Sequence, residues 1–326
     1  MVRMRQRWSI VMLGIVVGVG LVACKKESPG SSGDKSSEAS GGPGGGDLAL
    51  LPADSEVVFG VNFTQMQQSG IWKQFVEPKL AAGRGQRMMG EFKTRCGADP
   101  LKMVSSITVG GKDFSTDKPS LVIVGHGVDK AKILECLDKS KDEITKDGGQ
   151  ITRDGELVLF KDDHGDTGAL TFPNDSTGVF VVGSNGTAAG IKSVLAGTAS
   201  LKSSAPFLEM YKKVNTTDSV WGLASGKVMD NMPLDLKATA AYGSLNLTDG
   251  LAVDMRVRFD KPESAAQAAT MANAQVKQAA QYVDKAEVTA DGNELHASAS
   301  LSGQKLTQML PLLSMVAGGL PGMGGN

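Results

Sequence analysis

The sequence predicts an α+β protein with two pseudo-repeats of mixed or mainly antiparallel sheet packed with helices, after a disordered N-terminal tether. Three observations lead to this class. Hydrophobic patterning runs from Leu48 to Val316. Within it, two stretches offset by about 131 residues share the order strand, capped helix, hairpin. Consecutive strands are often separated by turns instead of helices, which favours antiparallel pairing.

The first 23 residues have the pattern of a secretory signal peptide. Three arginines within Met1–Arg7 precede the apolar run Ile10–Val22. At about 1.5 Å per residue, this run is too short to span a hydrocarbon core of roughly 30 Å. It ends in Leu21-Val22-Ala23-Cys24, which resembles the lipobox of bacterial lipoproteins. The resemblance implies cleavage before Cys24 and acylation of this residue, so that the acyl chains bind the protein to a membrane.

Residues 24–47 are predicted to form a flexible linker behind the lipidated cysteine. Lys25–Asp47 contains seven glycines and six serines, a composition that cannot build a hydrophobic core. A coil of this length spans about 25 Å on average. The residue after Cys24 is Lys25 and not aspartate, which by the same resemblance favours the outer membrane, on its periplasmic or surface face. The inner membrane is the alternative.

The first repeat is predicted over residues 48–199. Its strand Leu121–Val124 leads into the helical run Ala131–Lys139, for which Asp129 can accept the free amides of the first turn. Asp154-Gly155 then supplies a tight hairpin turn. A helix over Ser184–Leu195, capped by Ser184, closes the repeat.

The second repeat is predicted over residues 200–316. Its strand Ala252–Met255 leads through Asp260, a second predicted cap, into the helical run Pro262–Tyr282. Asp291-Gly292 supplies the matching hairpin turn. We therefore expect the capped helices and the hairpins of the two repeats to occupy equivalent positions.

Two further segments complete the second repeat. The alanine-rich run Ala265–Ala280 contains polar residues that prevent it from spanning a membrane, so we expect it to pack closely against a sheet. A last helix is predicted over Ser302–Met315. The glycine-rich tail, residues 317–326, is expected to be disordered.

Several motifs resemble a family of uncharacterised lipoproteins of deltaproteobacteria, of myxobacterial type. Besides the lipobox and the tether, these are Leu50-Leu51-Pro52-Ala53-Asp54 before a strand, Cys96-Gly97-Ala98-Asp99-Pro100-Leu101-Lys102, and the helical Leu134-Glu135-Cys136-Leu137. The family has no assigned activity. The resemblance therefore implies architecture and not chemistry.

Cys96 and Cys136 are an even pair once Cys24 is acylated. In a compartment outside the reducing cytosol we expect them to form a disulfide, with Cys96 in an adaptable loop and Cys136 on the inward side of a helix. The alternative is two separate buried thiols that behave as small apolar side chains.

Two loops have features of ligand sites. Val181–Gly190 runs from a strand into a helix, the context of a phosphate-binding loop, but its spacing does not match the P-loop motif, so a glycine-assisted turn is expected. The loop with Asp162, Asp163, His164 and Asp166 could hold a hard cation or zinc, but it lacks the EF-hand spacing, and a solvated hairpin loop is expected.

The histidines do not build a recognisable catalytic motif. His126 follows a strand in Gly125-His126-Gly127, and His296 lies in an alternating strand. Val182-Gly183-Ser184-Asn185-Gly186 is the nearest approach to a nucleophile elbow, but it lacks the required first glycine. We expect no catalytic, cofactor-binding or metal-ligating residues.

The charge balance disfavours a nucleic-acid partner. The chain has 34 Lys and Arg against 35 Asp and Glu, so it lacks the strong positive charge that binds phosphate backbones. We expect a lipid-anchored envelope protein with a non-enzymatic structural role or a role in binding another envelope protein. The alternatives are a protein that binds a small apolar or lipid ligand between the two halves, and a hydrolase with unrecognised catalytic residues.

Overall fold

A computed structural model describes residues 45–114, 116, 118–231 and 236–307 of the protein. Twelve strands in these residues form one sheet in which every pair of neighbours is antiparallel. Helices pack on both faces, so the predicted α+β class is confirmed. The predicted signal peptide, Cys24 and the tail 317–326 lie outside the described residues.

The elements have the following bounds. The strands are β1 Val57–Asn62, β2 Ser106–Lys112, β3 Ser120–His126, β4 Gln150–Asp154, β5 Leu157–Lys161, β6 Thr167–Asn174, β7 Thr177–Val182, β8 Val220–Ser225, β9 Ala238–Asn246, β10 Gly250–Phe259, β11 Lys285–Asp291 and β12 Glu294–Ser302. The α-helices are α1 Phe63–Gln68, α2 Glu77–Leu80, α3 Gly83–Cys96, α4 Lys130–Lys146, α5 Ala188–Ala196, α6 Ala205–Tyr211 and α7 Pro262–Ala279. Shorter helical turns cover Asp47–Ala49, Trp72–Val76, Pro100–Lys102, Leu201–Ser203, Gly226–Asn231 and Ala280–Tyr282.

The strand order places the two halves of the chain side by side in one sheet, as β11-β12-β10-β9-β8-β1-β2-β3-β7-β6-β5-β4. β1 and β8 pair at the junction, with Phe59 opposite Gly222. From there β2 and β3 extend the first half, and β9 and β10 extend the second half in the same order. α4 follows β3 as α7 follows β10. Three strands and one helix of each half thus have equivalent places.

The hairpins of the two halves do not occupy equivalent places, and this part of the predicted repeat is wrong. β12 pairs directly with β10, whereas β4 and β5 lie at the far edge, separated from β3 by β6 and β7. Both turns form as expected, with Gly155 at φ 60° and Gly292 at φ 55°. A turn motif determines only its own hairpin and not the place of that hairpin in the sheet.

Two predicted boundaries also need correction. Asp47, the predicted last residue of the linker, is buried within the fold. α5 begins at Ala188 and not at Ser184, because Thr187 is its cap and accepts a hydrogen bond from the Gly190 amide at 3.1 Å.

The predicted cap of α4 is confirmed, since Asp129 accepts a hydrogen bond from the Lys132 amide at 3.1 Å. Of the last predicted helix, residues 303–307 are helical, and the remainder lies outside the described residues.

The two faces of the sheet bury different apolar clusters. On one face, α4 packs on side chains such as Val158 and Phe160, and α7 packs on Phe259 and Leu295. On the opposite face, the turn Asp47–Ala49 and residues of α5 and α6 cover the centre of the sheet. That cluster includes Leu48, Leu51, Val58, Val124, Val181, Ile191, Leu201, Phe207, Trp221 and Leu223.

The predicted close packing of the alanine-rich helix is confirmed. Ala265 is fully buried and Ala269 is 7 % exposed, and both contact the sheet through the cluster with Phe259 and Leu295. Small side chains at these two positions let the helix backbone approach the strands.

We expect Ala265→Leu to destabilise the protein by about 1–3 kcal/mol, because the larger side chain has no space between α7 and the sheet. Ala266→Leu is the matched control: Ala266 is exposed, and its substitution should change the free energy of unfolding by no more than about 0.5 kcal/mol. Urea denaturation measures both. Equal stability of the two variants would contradict this packing.

Candidate functional site

The predicted disulfide is present and joins two helices. Cys96 bonds to Cys136 on α4, with 4.6 Å between their Cα atoms. Both residues are buried. Cys96 is the last residue of α3 and does not lie in a loop as predicted, because Gly97 ends the helix in the left-handed conformation at φ 65°. A second link between the helices is the ion pair of Arg95 with Glu143 at 2.6 Å.

A polar cluster lies where the chain enters the fold. Asp47 is 4 % exposed. Its Oδ2 accepts a hydrogen bond from Thr108 Oγ1 at 2.6 Å, and His126 Nε2 lies 2.9 Å from Oδ1. The other ring nitrogen, His126 Nδ1, lies 3.4 Å from Thr177 Oγ1. These contacts attach the first described turn to the ends of β2, β3 and β7.

The electrostatics of this cluster favour a charged histidine. The hydrogen bond to Asp47 raises the pKa of His126, against the opposing effect of burial. Burial raises the pKa of the neighbouring Tyr211, and the charge of Asp47 adds to the effect. Thr108 and Thr177 are buried, so neither hydroxyl is open to a substrate. The cluster can hold the chain in place, but its hydroxyls are not presented for nucleophilic attack.

A second polar network centres on Glu294 at the start of β12. This carboxylate is 7 % exposed. It accepts hydrogen bonds from Tyr242 Oη at 2.6 Å, from Arg258 Nη2 at 2.6 Å and from Lys213 Nζ at 2.8 Å. Arg258 also donates to Glu209 on α6 at 2.7 Å. The network therefore connects α6 and Lys213, two residues after its end, to strands β9, β10 and β12.

Glu294 is held as a carboxylate by these donors. Burial alone would raise its pKa, but the hydrogen bonds from Lys213, Tyr242 and Arg258 lower the pKa of Glu294 to about 2. Burial and the hydrogen bond to Glu294 in turn raise the pKa of Tyr242. A carboxylate with three donors and two cations has its charge and lone pairs satisfied, which is the arrangement of a structural anchor.

Sequence reasoning did not find Asp47 or Glu294 as centres of polar clusters. Asp47 ends a glycine-rich linker, and Glu294 follows a hairpin turn, so both have local contexts typical of exposed residues. The sequence carries one signal of the Glu294 network. In strand β10, the charged Arg258 directly precedes Phe259, which is buried in the core. A charge beside the core requires a partner, but the sequence does not identify which residue provides it.

The other strand histidine, His296, is also paired. His296 Nε2 lies 2.8 Å from Asp254 Oδ2 on the neighbouring strand β10. Both side chains are partly exposed. His126 and His296 lie in different halves of the sheet, so the structure does not bring them together.

The two loops considered as ligand sites use their polar groups internally. Asp162 Oδ1 accepts from the amides of His164 at 3.0 Å and Asp166 at 2.7 Å, which closes the loop. In the part of the chain that the structure describes, no group of three or more His, Cys, Asp or Glu side chains could hold a metal ion. In the other loop, a Cβ at Gly186 or Gly190 would overlap the backbone of Thr167 or Asn185. These glycines permit close backbone packing.

Two clefts of the described surface lie within the first half. One runs along α4 and is lined by charges that pair with one another, such as Arg153 with Asp138 at 2.8 Å. The other has a volume of about 420 Å³ and is lined by polar residues of α1 and by Lys73 and Lys102. Neither cleft lies between the two halves.

No family model, curated protein or solved structure matches this chain. Among the described helices, none has the length and apolar character needed to cross a membrane.

Reduction of the Cys96–Cys136 bond should lower the free energy of unfolding by about 4 kcal/mol, because the bond closes a long loop in the unfolded chain. Urea denaturation with and without reductant measures the difference. The control is the double variant Cys96→Ser/Cys136→Ser, which should not respond to reductant. Free thiols at both positions after acid quench and alkylation would refute the bond.

Glu294→Gln should cost about 3 kcal/mol near pH 7, because the lowered pKa of Glu294 reflects stability gained from the charged carboxylate. This stability is present above the unfolded pKa of 4.5 and is lost as the pH falls toward about 2. The difference between variant and wild type should therefore shrink in acid. The exposed Glu263→Gln is the control, and urea denaturation at several pH values is the measurement. A pH-independent difference would contradict this account.

Proposed function

We propose that the protein is a lipid-anchored component of the bacterial cell envelope with a non-enzymatic role, structural or in binding another envelope protein. The observation that carries the proposal is the lipobox-like Leu21-Val22-Ala23-Cys24, followed by a glycine- and serine-rich linker that leads directly into a buried attachment point at Asp47. This order suits a lipid anchor, a spacer and a folded body.

The contacts at the start of the fold support this order of anchor, linker and folded body. Asp47 is bound by Thr108 and His126 at the ends of two central strands. The linker residues Lys25–Gly46 number 22 and would span about 25 Å on average as a coil. The folded body can therefore stay near the membrane and still rotate on its tether.

The disulfide supports an extracytoplasmic location. Disulfides persist in the periplasm and at cell surfaces and are rare in the reducing cytosol. A Cys96–Cys136 bond between two helices fits an envelope protein. We also propose the outer membrane as the location, from Lys25 after the lipidated cysteine, and membership of the deltaproteobacterial lipoprotein family that the motifs resemble.

The geometry of the polar clusters favours a structural or interaction role. The networks around Asp47 and Glu294 join separate elements of the fold, and their buried groups bond to one another. A ligand carrier with a groove between the halves receives less support, because β1 and β8 meet there through main-chain hydrogen bonds.

Cys24→Ser should abolish lipid attachment, since the thiol is the group to which a diacylglyceryl unit is transferred in lipoproteins. Cells grown with a palmitate analogue should label the wild-type protein and leave Cys24→Ser unlabelled and released from the membrane fraction. The matched control is Cys96→Ser/Cys136→Ser, which keeps Cys24 and should keep the label. Equal labelling of Cys24→Ser and wild type would refute the anchor.

A further inference from the structure

Two carboxylates are buried among the described residues, and they have different counter-ions. Glu294 is paired with Arg258 and Lys213, whose charges do not change near neutral pH. Asp47 contacts one side chain in the described structure that can carry a positive charge, the imidazole of His126. Because the ordinary pKa of histidine is about 6.5, this partner gains or loses its charge close to physiological pH. The attachment of Asp47 is therefore a buried contact that can respond to pH.

The geometry of the pair makes His126 the main partner of the Asp47 side chain. His126 Nε2 lies 2.9 Å from Oδ1 and 3.0 Å from Oδ2, so one nitrogen faces both carboxylate oxygens. The other side-chain donor among the described residues is Thr108 Oγ1, which is neutral. The Asp47 side chain is 6 % exposed, whereas the His126 side chain is 31 % exposed. The imidazole can therefore exchange its proton with solvent while the carboxylate stays buried.

The groups that surround the pair on the neighbouring elements are neutral. The residues opposite His126 are Ser106 on β2 and Thr177 on β7. Tyr211 on α6 is neutral near pH 7, since burial raises its pKa and the charge of Asp47 adds to this effect. The charge on His126 thus has one partner among these elements, the carboxylate of Asp47.

The charged residues that follow β3 in the chain have partners of their own. They form the ion pairs Asp129 with Lys132 at 3.0 Å and Lys130 with Asp175 at 3.5 Å. The hydrogen bond to Asp47 is the main cause that raises the pKa of His126; burial opposes it, and the charge of Asp47 adds to it. The response of His126 to pH is therefore set by Asp47.

The pair holds the upstream part of the first described turn. Leu50 and Leu51 donate main-chain hydrogen bonds to the Asp47 carbonyl, at 2.8 and 3.2 Å. Leu51 has a further attachment, because its carbonyl accepts a hydrogen bond from the Leu201 amide at 2.9 Å. Before it, Asp47 is fixed by its side chain, and Leu48 is fixed by apolar packing. Loss of the ion pair therefore weakens the turn before Leu51 and leaves the sheet in place.

We propose that Asp47 and His126 form a pH-sensitive latch at the point where the linker enters the fold. With His126 charged, the latch is closed and the turn stays on the sheet. With His126 neutral, the buried carboxylate has no counter-charge, so the turn opens more often. In the open state residues 45–50 join the linker and add up to about 20 Å to its extended length. The latch belongs to the folded body, and only its setting at a membrane rests on the proposed lipid anchor.

The sign of the response follows from the raised pKa of His126. A histidine with a higher pKa in the folded than in the unfolded state contributes stability that is fully present below the unfolded pKa of about 6.5. This stability is lost as the pH rises through the folded pKa. The turn should therefore be held most firmly in mild acid and should open more often in mild alkali.

Hydrogen exchange of the Leu50 and Leu51 amides tests the latch in residues 24–326 with Cys24→Ser, which carry no lipid. Exchange is followed by NMR and expressed as a protection factor, which removes the chemical effect of pH on the exchange reaction. Between about pH 6 and about pH 9, the protection factors of these two amides should fall at least about threefold. The amides of β1 should keep their protection, which shows that the fold is intact.

Two variants assign the effect to His126. His126→Gln keeps a neutral donor for Asp47, so its protection factors should not depend on pH and should equal those of the wild type at about pH 9. The matched control is His296→Gln, because His296 makes a similar contact of 2.8 Å to the partly exposed Asp254. This control should respond to pH as the wild type does.

A direct titration gives a readout that does not depend on hydrogen exchange. The ring resonances of His126 report its pKa, which should move in Asp47→Asn toward the ordinary value of about 6.5. The β1 amides again show that the variant is folded.

Three results would overturn the inference. These are a change of less than about threefold in the wild type, an equal pH response in His126→Gln and the wild type, and an unchanged titration of His126 in Asp47→Asn. None of these measurements uses an acyl chain. A failed latch and a failed lipid anchor are thus distinguishable.

Discussion

The pairing of β1 with β8 is the contact on which the rest of the structure depends. It joins the two halves of the chain into one sheet through main-chain hydrogen bonds, so that each half supplies an edge that the other covers. Gly60 makes room for the indole of Trp221, since a Cβ there would overlap the ring. Tyr211 on α6 then packs edge-on against Trp221, with 5.5 Å between ring centroids. The junction thus positions the helices as well as the strands.

Buried charges attach segments to the sheet within each half. The Glu294 network attaches α6, near the start of the second half, to strands of that half. Asp47 attaches the end of the linker to strands of the first half. A buried carboxylate must keep its partners because an unpaired charge in the interior is costly. These contacts therefore specify one arrangement of the segments around the sheet.

The proposed functions follow from where these attachments lie. The contacts of Asp47 hold the first described turn on the central strands, and the disulfide connects α3 to α4 on the sheet. A body that is held together from its first described residues suits the proposed carriage on a flexible linker.

The sequence by itself determined the features that depend on neighbouring residues. The α+β class, the Asp129 cap, the glycine turns at Gly155 and Gly292, and the packing of the alanine-rich helix all follow from local pattern and small side chains. The cysteine pair was also predictable, because two cysteines have only one possible partner each. The tertiary structure alone decided the place of each hairpin in the sheet and the partners of Asp47 and Glu294. These depend on residues far apart in the chain, and the same local pattern fits several strand orders until side chains from both faces pack together.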